Sequence, residues 1–350
     1  MKIAVDARFV GKSGIGTYIE NVVFNMLKNR PEHEYLLIVD AQCRMSWPDN
    51  VEVMICDIPP FSIKEMFFFP VSKINKCDVF YSPYINLPFG LKIPVYTTIH
   101  DVLFLDVDGL ASFIGIFARK CFLWNAVRRS NAVFTVSKFS EGRIRHHFKN
   151  ATNVVVTYCG VPSKVIAYEK NIIPKKDYFI FVGNVKAHKG LSVLVDAFNK
   201  AKKEGLSSKL YIVGDNKNFR TKDESFNRKI SSSADIVFTG FISDRELLNM
   251  VCCAKALILP SFYEGFGLPP LEALYLGTNV ILSDIDVFKE IYAELPVTFF
   301  ESGNVEHLKK CIMNATETME NADCVREKIA QKYNFANVAE VIQQQITLHE

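Results

Sequence analysis

Two successive series of short β-rich runs, each alternating with helical patterns, constrain this chain more than any other feature. "KIAVDAR" reads as a first strand, "TYIENVVFNMLKN" has helical apolar spacing, and "EYLLIVD" reads as the next strand. "DVFYSP", "PVYTTIHD", "NAVFTVS" and "NVVVTY" follow as strands. A second series opens at "DYFIFVGN", passes through the helix "GLSVLVDAFNKAKKEG", and continues with "KLYIVGD", "DIVFTGF", "KALILPS" and "NVILSD". Strands separated by helices return parallel to one another, because a crossover helix carries the chain back to the same end of the sheet. The two series meet at Gly160–Lys176, where proline and lysine mix as they do in linkers. At 350 residues the chain is also long for one core. The expectation is α/β: two doubly wound domains facing each other across a cleft.

Composition removes several function classes. The hydrophobic fraction of 49% and charged fraction of 23% are those of an ordinary globular protein. No apolar run is long enough for a membrane-spanning helix. The start, "MKIAVDARFV", enters a strand pattern with no basic and then apolar leader, so no signal peptide is expected. Nine scattered cysteines without a CxxC pair point to reduced thiols in the cytoplasm and to no zinc site. The net charge of +3 says less than its distribution. Ala111–Asn150 carries eight Lys or Arg residues against the single acid Glu141, interleaved with Phe113, Ile114, Phe117, Phe122 and Trp124. Two readings stand: a helix lying on an anionic membrane, or a solvated basic face beside a core stripe. No nucleic-acid motif accompanies the charge, and no nucleic-acid partner is expected.

Doubly wound sheets bind ligands at the carboxyl ends of their strands. That singles out the loops Gly11–Thr17, His100–Asp101, Gly183–Gly190, Gly214–Asn216 and Glu264–Leu268. "SFYEGFGLPPLEALYLG" reads as a loop and then a helix opened by Pro269 and Pro270 and closed by Gly277. Its free helix-start amides favour an anion or an array of hydroxyls. Glu264 and Glu272 can each accept hydrogen bonds from vicinal hydroxyls. Gly11, Gly14 and Gly16 suit close backbone approach to a phosphate, or equally a plain tight turn. Their spacing is not G-x-G-x-x-G, which leaves Asp40 a decoy for a ribose-binding acid. Lys189 and Gly190, with His188 beside them, open a helix where an ammonium can neutralise a diphosphate; an exposed surface lysine is the plain alternative. His100–Asp101 is read as a structural pair or a site pair.

Taken together, "GIGTYIENV", "TTIHDVLFLD", "AVFTVSKFS", "VGNVKAHKGL", "VFTGFISDRELLNMVCCAKALILPSFYEGFGLPPLEAL" and "GTNVILSD" resemble glycosyltransferase family 4, over nearly the whole chain. These are retaining nucleotide-sugar enzymes with an E-x7-E motif and the GT-B fold of two Rossmann-like domains. The resemblance, of the bacterial surface-polysaccharide type, implies an acceptor-side domain at 1–163 and a donor-binding domain at 164–334, with a C-terminal helix at about 335–350 packing back onto the first. It implies that Glu264, helped by the amides of Gly265, Phe266 and Gly267, binds the donor sugar and that Glu272 holds the ribose. Lys189 would stabilise the leaving diphosphate, with Leu268, Asn184 and His188 in the donor site. Gly14 and Gly16 would approach phosphate and acceptor, His100 the reaction centre, and Asp101 and Tyr18 the acceptor side.

One position departs from the family pattern. Many relatives carry an arginine in the Gly183–Lys189 loop, where this chain has Asn184 and His188. A protonated His188, Arg245 or Lys186 would be the replacement charge. The implied reaction is retaining hexosyl transfer from GDP-mannose or a UDP-sugar to a glycan or lipid-linked glycan in O-antigen or capsule synthesis, with no metal and no cofactor. Its place would be the cytoplasm, peripheral to the inner face of the membrane through 111–150. The alternatives are a catalytically weakened sugar-nucleotide-binding relative and a dinucleotide-dependent oxidoreductase.

Overall fold

A computed structural model describes residues 1–43, 45–110, 113–168, 174–214 and 233–348. The chain divides into two units, Met1–Pro162 with Tyr333–Glu350, and Ser163–Lys332.

Among the described residues of the first unit seven strands form one sheet: β1 (Lys2–Asp6), β2 (Glu34–Val39), β3 (Val51–Ile55), β4 (Val79–Ser82), β5 (Val95–Ile99), β6 (Ala132–Thr135) and β7 (Val154–Val156). Their order is β3-β2-β1-β4-β5-β6-β7, and every pair is parallel. Central strands are covered on both faces, so β4 and β5 are buried at every residue and read as continuous apolar or hydroxyl-bearing runs. The first helix begins at Ser13, earlier than its apolar spacing shows, so Gly14 and Gly16 lie in its first turn. Gly16 is required there: a Cβ would sit 2.1 Å from the Phe9 carbonyl oxygen. The helix Phe335–Thr347 closes this unit. Its Gln343 Nε2 donates to the Met26 carbonyl at 2.9 Å and to the Tyr35 hydroxyl at 3.0 Å, all buried. Gly160 lets the chain pass under that helix, since a Cβ would meet the Phe335 nitrogen at 2.2 Å.

Among the described residues the second unit has six strands: β8 (Lys176–Val182), β9 (Lys209–Val213), β10 (Ile236–Gly240), β11 (Ala254–Leu259), β12 (Asn279–Ser283) and β13 (Val297–Phe300). Their order is β10-β9-β8-β11-β12-β13, again all parallel. The helix Leu191–Lys203 buries Leu191, Leu194, Val195 and Phe198 at helical spacing against this sheet's core. Ser243 caps the helix Asp244–Cys253 by accepting from the Glu246 amide at 3.3 Å. Both units are doubly wound parallel α/β, as the two strand series require.

Candidate active site

In the second sheet the strand order reverses between β8 and β11. The crevice at such a reversal is where open α/β sheets bind ligands. The loop after β8 carries Lys189 and the loop after β11 carries Glu264. The structure brings them together: the Lys189 ammonium lies 2.6 and 2.8 Å from the two Glu264 carboxylate oxygens. Ser261 Oγ donates to the same carboxylate at 2.7 Å, and its own carbonyl accepts from Ser283 Oγ at 2.5 Å. Side-chain exposure is only 21% for Lys189 and 10% for Glu264, so water screens the pair weakly.

Backbone contacts lock the two loops. The Phe262 amide donates to the His188 carbonyl at 2.8 Å. Gly190 has φ +66°, and a Cβ there would lie 2.0 Å from the Pro260 carbonyl oxygen. Only glycine permits that approach. A second glycine contact joins the neighbouring loops, because a Cβ on Gly214 would lie 2.2 Å from the Gly183 oxygen. Asp215 and Asn216 of that loop lie outside the described residues.

Gly267, at φ +91°, precedes the helix Leu268–Tyr275, and its carbonyl accepts from the Tyr292 hydroxyl. Pro269 and Pro270 lack amide protons, so the Leu268 amide is the first donor at this helix start. Phe266 is buried, its ring in the core rather than on the surface. Glu272 stands one turn along this helix and shares no hydrogen bond with the Lys189–Glu264–Ser261 cluster. Burial pushes its carboxyl up to about 7; the Lys164 charge works against that shift and Asp244 adds to it.

The reading that His188 supplies a second positive charge needs correcting. Its ring is buried and its Nδ1 has no hydrogen-bond partner among the described residues. Burial first, and the Lys189 charge second, push it down to about 4, so it is neutral at pH 7. Asn184, Lys186 and Arg245 are exposed.

In the first unit His100 follows β5. Its Nε2 lies 3.0 Å from the Pro83 carbonyl, which can only accept, so Nε2 carries the proton and Nδ1 of the neutral ring is an acceptor. Burial pushes the ring down to about 4. Tyr18 lies beneath it edge-on, ring centroids 4.8 Å apart, and is 1% exposed. Tyr18 therefore supports His100 from the core rather than reaching a ligand. Asp101 accepts from the Leu103 amide at 3.0 Å, two residues ahead of the short helix Leu103–Asp106. Gly14 faces open space at the start of a helix without a side-chain cap, whereas Gly16 is packed.

A buried charge network beside these groups is invisible to motif reading. Arg8, just past β1, donates to Asp6 at 2.9 and 2.6 Å and also to Glu65 and Tyr84. The one hint in the sequence is a charged "DAR" at the end of an apolar strand. Asp40 is engaged by Lys12 at 3.0 Å and by the Gln42 amide at 2.9 Å.

Residues 163–332, the whole of the second unit, match the family described as Glycosyl transferases group 1. The match to this family runs the full length of the second unit. The chain is 27% identical over 269 residues to the O-antigen chain mannosyltransferase RfbU of Salmonella typhimurium, covering 73% of this chain and 74% of that protein. It is 23% identical over 229 residues to the O-antigen chain mannosyltransferase B of Escherichia coli, covering 62% and 59%. Among solved structures, sucrose-phosphate synthase from Thermosynechococcus elongatus superposes with TM-score 0.74 at 15% identity, covering 99% of this chain and 98% of that one. Anabaena HepE in complex with UDP and glucose superposes with TM-score 0.70 at 16% identity, covering 99% of both. The fold is GT-B. Both of these sequence relatives are O-antigen mannosyltransferases.

Proposed function

We propose that this glycosyltransferase moves a mannosyl unit from GDP-mannose, with retention of anomeric configuration and without a metal, to a glycan or lipid-linked glycan acceptor. The observation that carries this reading is the Lys189–Glu264 pair at the strand reversal of the second sheet. When the bond between the sugar and the diphosphate breaks, negative charge grows on the departing phosphate. An ammonium already fixed in a poorly screened site stabilises that charge without having to reorganise. Glu264 orients the ammonium and keeps lone pairs with which to accept sugar hydroxyls. Glu272, on its own helix, would accept the ribose diol. Neutral His100, with Nδ1 as acceptor, would take a hydrogen bond from a hydroxyl rather than act as a cation. Mannose as the sugar follows the two O-antigen relatives, both of them mannosyltransferases. HepE, at lower identity, is complexed with UDP, which makes a UDP-sugar the competing donor.

The neutral His188, where many relatives have arginine, favours one second reading, a sugar-nucleotide-binding relative with weakened turnover. The oxidoreductase reading loses support because Asp40, its ribose-binding acid, is taken by Lys12 and the Gln42 amide. A thermal-shift panel of GDP, UDP and NAD(P) followed by assay of GDP release from GDP-mannose tests all three. Stabilisation by GDP with release is expected. Stabilisation without release supports the weakened relative, and a response to NAD(P) alone overturns the assignment. Glu264→Ala should abolish transfer while Glu272→Ala mainly weakens nucleotide binding; equal loss of both properties in both variants would contradict this division of roles.

A further inference from the structure

We infer that the first unit docks on an anionic lipid bilayer through one composite face, built from the helices Phe113–Arg129 and Ile63–Phe68 and the turn at Phe89. The longer helix buries Leu123, Ala126 and Val127. Its opposite face presents Phe113, Ile114, Phe117 and Trp124 to solvent, from 51% exposed for Trp124 to 84% for Phe113. Lys120 and Arg128 stand exposed on the same face, with the Arg128 guanidinium 5.1 Å from the Trp124 ring centre. The shorter helix adds Ile63, Phe67 and Phe68, with Lys64 exposed among them.

The two helices make one surface. Phe67 packs on Phe89 with ring centroids 5.3 Å apart, and the Phe89 amide donates to the Met66 carbonyl at 2.9 Å. On the other side of that turn, Arg129 donates to the Pro88 and Leu91 carbonyls at 3.0 and 3.2 Å. Asn125 donates to the Leu87 carbonyl at 3.2 Å. The shorter helix is held rigidly from within: buried Glu65 accepts from Arg8, Tyr84 and Asn86. Its outer side chains are therefore displayed with little ordering left to do on binding.

A contiguous apolar surface of this kind on a folded unit marks an interaction site. Charge selects the occupant. Neither helix exposes an acid, since the longer one contains none and Glu65 of the shorter is buried. Tryptophan and phenylalanine interleaved with cations is the composition of a face lying at the headgroup level of an anionic leaflet. With only 17 residues, and with Arg119 and Lys120 at its middle, this helix is not long and apolar enough to cross a bilayer, so it lies on the surface. The basic segment is also narrower than 111–150. Arg143 and His147 are spent on Asp106 at 2.9 and 2.6 Å, and Arg145 on Glu141 and the Ala151 carbonyl at 3.0 and 2.5 Å.

The test is co-sedimentation of the full chain with phosphatidylcholine vesicles, with and without one third phosphatidylglycerol, at low and high salt. Binding to the anionic vesicles is expected, weaker in salt. It should fall about tenfold or more in Phe117→Ser/Trp124→Ser and in Ile63→Ser/Phe68→Ser, and stay unchanged in Phe241→Ser, an exposed phenylalanine of the other unit. In a Trp47→Phe background, Trp124 is the remaining indole, and its emission should shift to the blue on binding. Absence of binding at low salt overturns the inference, as does binding that both double variants leave intact. A concentration-dependent dimer abolished by those variants, with no vesicle binding, assigns the face to a second copy instead. Docking bears on the lipid-linked acceptor of the proposed reaction, but the two are measured apart. GDP stabilisation without vesicle binding sinks only the docking, and vesicle binding without nucleotide binding sinks only the transferase reading.

Discussion

Glu272 is a carboxyl group whose surroundings favour its neutral form, with its pKa pushed to about 7 from an ordinary 4.5, chiefly by burial. Between those values the unfolded chain gives up this proton while the folded chain keeps it, so stability falls as pH rises from about 4.5 to about 7. Glu272→Gln removes the titration. The variant should be more stable than the parent at pH 8 by about 1–3 kcal/mol, the advantage vanishing near pH 4.5, while GDP binds it more weakly. Thermal melts across pH with and without GDP check both halves. Lys189→Ala removes the ammonium from Glu264, leaving the Ser261 hydroxyl on the carboxylate, and should lower kcat/KM by about 10²–10³, read from the rate of GDP release.

The elements that carry these side chains depend on a few close backbone passages. Gly190→Ala would force a Cβ against the Pro260 carbonyl from a left-handed backbone. It should cost about 1–3 kcal/mol and part the Lys189 loop from the Glu264 loop, so denaturant melts and GDP titration should deteriorate together. Gly14→Ala meets open space inside a helix and should be neutral or stabilising by up to about 1 kcal/mol. The doubly wound architecture is legible in the sequence because central strands such as "FIFV" and "LILP" are unbroken apolar runs. β3 and β13 are harder to read: each is a short edge strand whose apolar run is broken by Glu52 or Thr298, with most residues half-buried or exposed. Lys189 and Glu264 are legible as separate loop residues. Their mutual pairing and the reach of Arg8 to Glu65 and Tyr84 are not, because each joins segments distant in the chain; Ser261 is close to Glu264 in sequence, but no spacing rule marks its hydroxyl as a partner. Tyr18 misleads for the same reason, its ring being swallowed by the packing under His100.

In the whole molecule the second unit is an insertion within the first. The chain leaves the first unit at Pro162 and rejoins it at Tyr333, where the Val161 amide donates to the Tyr333 carbonyl at 3.0 Å. Truncation after Lys332 removes Gln343 from Met26 and Tyr35 and strips the apolar face of Phe335, Val338, Ile342 and Ile346 from the Ser13–Asn29 helix. The expected result is loss of the first unit's cooperative melting, with GDP-dependent stabilisation of the second unit retained, as seen by calorimetry. This connectivity also sets an order of events on the ribosome. Domains generally mature from the amino end as they emerge, yet here the half that is translated first must wait, its hydrophobic seam open to chaperones, until Ile346 has been made, while the inserted half can finish beforehand.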